Sequence, residues 1–127
     1  TPLEMAKAYT LFSNQGKTHD GRQWVSKNAA IMTMDMMRTV MIDGTGRSID
    51  NYAPEADVFG KTGTARIFKN QQYNEDLHNA LFIGMTELDE KKYLVGLIVK
   101  DPKINGDGGG DVAAPIFSEI IETIQNF

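Results

Sequence analysis

Apolar residues recur first at helical spacing, then at strand spacing, and at helical spacing again near the end of the chain. From Pro2 to about Asn14, Met5, Ala8, Tyr9 and Phe12 fall three and four positions apart, which predicts an amphipathic helix. Thr1 at the N-cap, Pro2 at the first helical position and Glu4 at the third form a capping box, and Gly16 supplies a stop. Lys17 to Gln23 is polar and turn-rich, leading to a short extended piece around Trp24 and Val25. A second helix is predicted from about Ala29 to Ile42, capped by Ser26 or Asn28 and closed by Asp43-Gly44-Thr45-Gly46.

Arg47 to Asp57 reads as an irregular connection. The period then becomes strand-like from Asp57 to Phe68, and Lys69 to His78 reads as a polar loop. Two compact apolar runs, Ala80 to Met85 and Tyr93 to Val99, flank a charged turn at Glu87 to Lys92 and predict an antiparallel hairpin. Their nearly unbroken apolarity predicts that both faces are covered. After a Gly-rich loop from Asp101 to Asp111, a last helix starts near Pro115. It carries Ile116, Phe117, Ile120, Ile121, Ile124 and Phe127 on one stripe. The order helix, helix, three strands, helix predicts an α+β fold, an antiparallel three-strand unit with flanking helices.

The chain has 127 residues, 41% hydrophobic and 24% charged, the balance of one globular unit. The formal net charge of −4 argues against nucleic acid as a partner. The absence of cysteine excludes disulfides, thiol catalysis and thiolate metal sites. The chain opens inside a helix signal without an initiator Met, so it is expected to be a piece of something longer.

Candidate chemistry concentrates in Gly60-Lys61-Thr62-Gly63-Thr64-Ala65. Strand alternation places the Thr62 and Thr64 hydroxyls on one face, about 7 Å apart, as a clamp for a carboxylate beside a lysine. Gly63 leaves room for a second backbone to approach, and an edge strand here would accept an extended peptide. On the same alternation Lys61 belongs to the opposite face. A bare Lys-Thr-Gly by itself reads first as a strand with surface Thr and Lys. Among the other signals, Met32, Met34 and Met36 point to different sides of their helix and read as packing, not as a copper site. The loop from Asn105 to Asp111 fails the calcium and dinucleotide patterns and reads as a flexible turn. His19 and His78 lack partners at ligand spacing, and neither a metal nor a cofactor is expected.

Four stretches in order carry a family resemblance. They are Thr1-Pro2-Leu3-Glu4-Met5-Ala6-Lys7-Ala8-Tyr9, Met41 to Gly46 with its Gly-Thr-Gly, Gly60 to Ala65, and Gly109-Gly110-Asp111-Val112-Ala113-Ala114-Pro115-Ile116-Phe117. Over nearly its whole length the chain resembles the C-terminal part of a penicillin-binding protein transpeptidase domain, of the class B, division-type D,D-transpeptidases. The resemblance implies part of a β-lactamase/transpeptidase-like fold. It also implies a serine acyl-transfer enzyme that cross-links peptidoglycan stem peptides ending in D-Ala-D-Ala and that binds β-lactams. Lys61 would supply positive charge to proton transfer, and Thr62 and Thr64 would bind the substrate carboxylate across Gly63. The Thr64 N–H would be an oxyanion-hole donor, worth about 3 kcal/mol. Tyr73 would form an aromatic wall for substrate or β-lactam, or else belong to an ordinary loop.

The departures matter as much. Three positions after Ser13, Ser26, Ser48 and Ser118 stand Gly16, Ala29, Asn51 and Ile121, so no S-x-x-K nucleophile motif is present. Ser26-Lys27-Asn28 spells S-x-N but lies only 35 residues before Lys61, and it reads as a helix cap. Residues 1–127 are therefore expected to be a C-terminal portion, inactive alone, whose partner is the missing N-terminal part of the domain. By resemblance, the intact protein would sit in the bacterial inner membrane with its catalytic domain on the periplasmic side. It would work beside other cell-wall synthesis or division proteins, its anchor lying outside this sequence. A serine β-lactamase or D,D-carboxypeptidase fragment, or a non-catalytic peptide-binding module, is the alternative.

Overall fold

The computed structural model describes residues 1–48, 57–69, 71–103 and 108–126. Helix α1 spans Pro2–Ser13, with the Thr1 hydroxyl accepting from the Glu4 N–H and the Glu4 carboxylate reaching back to the Thr1 backbone, so the capping box forms as predicted. Its C-terminus is closed through Gly16 at φ +83°. A Cβ on Gly16 would lie 2.2 Å from the Val25 carbonyl oxygen, so the turn tolerates no side chain. Of the two candidate caps for the next helix, Ser26 is the one used. Its hydroxyl accepts from the Ala29 N–H at 3.1 Å, and α2 runs from Lys27 to Ile42. The predicted connection from Arg47 to Asp57 lies mostly outside the described residues.

Three strands form one antiparallel sheet in the order β1-β2-β3: Phe59–Lys69, Gln72–Leu88 and Lys91–Lys100. The α+β reading is correct. The stretch from Lys69 to His78, predicted as a loop, is instead mostly hairpin: β1 runs to Lys69 and β2 starts at Gln72. Phe68 pairs with Tyr73 in register and their rings meet edge to face at 5.2 Å, with a register shift between Arg66 and Phe68. A ladder is held by backbone hydrogen bonds, so a polar sequence marks an exposed arm rather than the end of pairing. The charged turn is tighter than predicted. Only Asp89 and Glu90 lie between β2 and β3, both at positive φ (49° and 64°), as a two-residue hairpin turn with right-handed strand twist requires.

The core lies on one face of the sheet. There Phe82 meets Phe117 at 4.9 Å between ring centroids, and Met41, Val58, Ala113, Ala114 and Ile121 close around them. Gly84 makes room for Phe117, since a Cβ would lie 2.6 Å from its ring. Helix α3, Ala114–Gln125, supplies this layer with Phe117 and Ile121 of its predicted stripe; Ile116 is 37% exposed, and Phe127 lies outside the described residues. A π-helical turn, Gly109–Ala113, precedes α3, where a plain loop was expected. The opposite face is only partly covered. Helix α1 crosses it with no buried residue of its own; Ile83 and Met85 of β2 are buried on this face while Ile98 of β3 stays 40% exposed, so the expectation of two covered faces holds for the β2 run and not throughout β3.

Candidate active site

Strand β1 is the edge of the sheet among the described residues, and its alternation sorts the candidate side chains onto two sides. Thr62 and Thr64 lie opposite Phe82 and Ala80. Both open on a largely polar cavity of about 880 Å³, shared with Asp43, Thr45, Arg47, Ser48 and the glycines Gly108 to Gly110. Lys61 lines a separate, apolar cavity of about 400 Å³ on the α1 side, with Met5, Tyr9, Leu81 and Ile98. Its amine donates to the Thr62 carbonyl oxygen at 2.9 Å, so the long side chain curls back onto its own strand rather than across to the hydroxyls. Tyr73 stands against Phe68 at the hairpin tip, 67% exposed, and lines neither cavity.

The close backbone approach anticipated at Gly63 exists, but the glycine it demands is a different one. A Cβ on Gly63 would meet only Leu81 side-chain carbon at 3.5 Å, an ordinary contact. A Cβ on Gly109 would lie 2.0 Å from the Leu81 carbonyl oxygen and 2.8 and 2.9 Å from the Gly63 oxygen and nitrogen. Similarly, one on Gly110 would lie 2.0 Å from the Thr45 carbonyl oxygen. The Gly-rich segment is therefore a wall pressed against the edge strand and the Gly44-Thr45-Gly46 turn. It is not the flexible turn expected from its composition; the part from Asn105 to Asp107 lies outside the described residues. The Ser48 hydroxyl ties this wall down by donating to the Gly110 carbonyl at 2.7 Å, and Thr45 Oγ1 lies 2.5 Å from Thr62 Oγ1. In the sequence Thr45 stands out only within its Gly-Thr-Gly motif, and Ser48 only as a serine without a lysine three positions on.

No serine is poised as a nucleophile. Ser13 donates to Thr10, Ser48 to Gly110 and the buried Ser118 to Ala114, all at carbonyl oxygens, while Ser26 caps α2. Among the described residues no group of three or more His, Asp or Glu is placed to hold a metal.

Residues 1–122 match the family described as the penicillin binding protein transpeptidase domain. The chain belongs to that family. Among curated relatives, a protein of Neisseria flavescens named probable peptidoglycan D,D-transpeptidase PenA is 29% identical over 98% of this chain and 34% of its own length. One of Pseudomonas aeruginosa named probable peptidoglycan D,D-transpeptidase PbpC is 30% identical over 93% of this chain and 23% of its own. Among solved structures, the transpeptidase domain of Burkholderia pseudomallei penicillin-binding protein 3 superposes with a TM-score of 0.81 at 27% identity, covering 98% of this chain and 41% of that one. Penicillin-binding protein 3 of Mycobacterium tuberculosis, solved in complex with aztreonam, gives 0.78 at 25% identity, covering 99% and 35%. The chain thus spans about a third or less of the length of these curated relatives.

Proposed function

We propose that residues 1–127 are the C-terminal portion of a peptidoglycan D,D-transpeptidase domain and supply its substrate-binding strand, the nucleophile coming from the N-terminal part. The observation that carries this reading is the pair Thr62 and Thr64, facing one polar cavity from the free edge of β1 and walled by glycine backbone. Two hydroxyls about 7 Å apart along a strand can each donate to one oxygen of a peptide's terminal carboxylate. The Thr64 N–H stabilises the oxyanion formed when the serine attacks the penultimate D-Ala carbonyl, and Lys61 adds positive charge from the other side of the strand. Gly63 keeps the strand edge narrow for an extended substrate. Tyr73, about 13 Å along β1 from Thr64 by strand rise, is proposed with Phe68 as an aromatic surface beyond the cavity rather than a wall of it.

The names of the relatives support transpeptidation over β-lactam hydrolysis, and the titles of the neighbours with aztreonam and ampicillin support β-lactams as ligands. The site is read as acting outside the cytoplasmic membrane, alongside other cell-wall enzymes. No helix among the described residues is long and apolar enough to cross a membrane.

The test is covalent labelling by a fluorescent penicillin. The intact protein is expected to be labelled and to deacylate slowly, and the isolated chain to remain unlabelled. Thr62→Val and Thr64→Val in the intact protein are each expected to slow labelling by about tenfold, at 1–2 kcal/mol per charge-assisted hydrogen bond. A stable adduct on the isolated chain, or wild-type rates in both variants, would overturn the reading.

A further inference from the structure

The Thr45 and Thr62 hydroxyls are in contact at 2.5 Å, and either oxygen can be the donor. A threonine hydroxyl has one proton to give and lone pairs to receive with. When Thr62 gives its proton to Thr45, none remains for an anion in the cavity. When Thr45 gives, the Thr62 proton points onward, and the bond that Thr62 accepts polarises its O–H and strengthens the bond it makes.

The turn that carries Thr45 is fixed on three sides. The N–H groups of Gly44 and Gly46 both donate to the Val40 carbonyl at 3.1 Å, which pins the turn to the end of α2. The Gly110 backbone presses on the Thr45 carbonyl so closely that a Cβ there would lie 2.0 Å away. Ser48, two residues beyond the turn, donates to the Gly110 carbonyl and holds that wall in place. These contacts fix the backbone that carries the Thr45 hydroxyl beside Thr62.

We propose that Thr45 is a positioning residue: it donates to Thr62 Oγ1 and so commits the Thr62 proton to the carboxylate of the substrate. This assignment rests on the reading of Thr62 and Thr64 as a carboxylate clamp. It goes beyond that reading by naming a residue that acts through Thr62 and sets the direction of the hydrogen-bond chain.

The test uses the full-length protein carrying this sequence and compares acylation by a penicillin with acylation by the methyl ester of its carboxylate. Thr45→Val is expected to slow the acid about fivefold, the worth of one neutral hydrogen bond, and to leave the ester unchanged. Thr45→Ser keeps the hydroxyl and restores the acid rate, and Thr45→Val adds no further loss in a Thr62→Val background. Thr45→Ala is the second removal variant if Thr45→Val fails to fold, with melting temperatures measured alongside. Equal loss for acid and ester, or losses that add to those of Thr62→Val, would mean that Thr45 only braces the loop and would overturn the assignment. Loss in Thr62→Val with none in either removal variant overturns the assignment alone; no acid-selective loss in Thr62→Val overturns the clamp and the assignment together.

Discussion

Substituting Gly109 by alanine perturbs the site at its backbone and leaves every polar side chain in place. The added methyl would sit 2.0 Å from the Leu81 carbonyl oxygen and under 3.0 Å from the Gly63 nitrogen and oxygen. Ordinary contact begins at 3.4 Å, so the loop must retreat from the strand by more than an ångström. Both obstacles are backbone of paired strands, and neither can rotate away as a side chain would. Overpacking of this kind costs about 1–3 kcal/mol, and rigid neighbours on two strands place Gly109→Ala at the upper end. Gly63→Ala is the control. Its methyl meets Leu81 carbon at 3.5 Å and should cost under about 1 kcal/mol, although Gly63 stands inside the most recognisable motif of the chain. Urea unfolding of the intact protein followed by circular dichroism gives both values, and penicillin labelling reports the site. Gly109→Ala should label more slowly as well, because retreat of the wall opens the cavity that Thr62 and Thr64 face. A Gly109→Ala protein of wild-type stability, or a Gly63→Ala protein more damaged than it, would refute the argument from close approach.

Replacing Asp89 and Glu90 with Asn-Gly should stabilise the β2–β3 hairpin by about 1 kcal/mol, because non-glycine residues at φ 49° and 64° carry a left-handed penalty. A rise in melting temperature checks it. Phe117→Ala should cost about 3–5 kcal/mol, since the ring is fully buried against Phe82 and Gly84 and leaves a cavity with nothing to fill it; denaturant midpoints measure the loss.

Local physics was legible in the sequence. The capping box of Thr1 and Glu4 and the Ser26 cap are decided within four residues, and the period of two on β1 by itself separates Lys61 from Thr62 and Thr64. The polar arm from Lys69 to His78 was misjudged because side-chain polarity reports exposure, whereas the ladder there depends on main-chain groups that every residue carries. The wall of the site was hidden for another reason. Gly109 and Gly110 are required by strand and turn segments more than 25 positions distant in sequence, and a run of glycines looks the same whether it is loose or pressed flat. The Thr45–Thr62 contact is likewise visible only once the end of α2 is folded against β1.

Helix α1 lies on the sheet without one buried residue, while β2 beneath it is packed on its other face by Phe117 and Ile121. Its attachment is therefore weaker than that of α3, which buries Ala114, Phe117, Ser118 and Ile121, and its opening leaves the Phe82–Phe117 cluster in place. Amide protons of α1 should exchange with solvent through local excursions, those of β2 only through global unfolding. The two walls of the Lys61 cavity thus belong to different cooperative units, one persistent and one transient. The lysine side of the edge strand can breathe while the threonine side stays fixed.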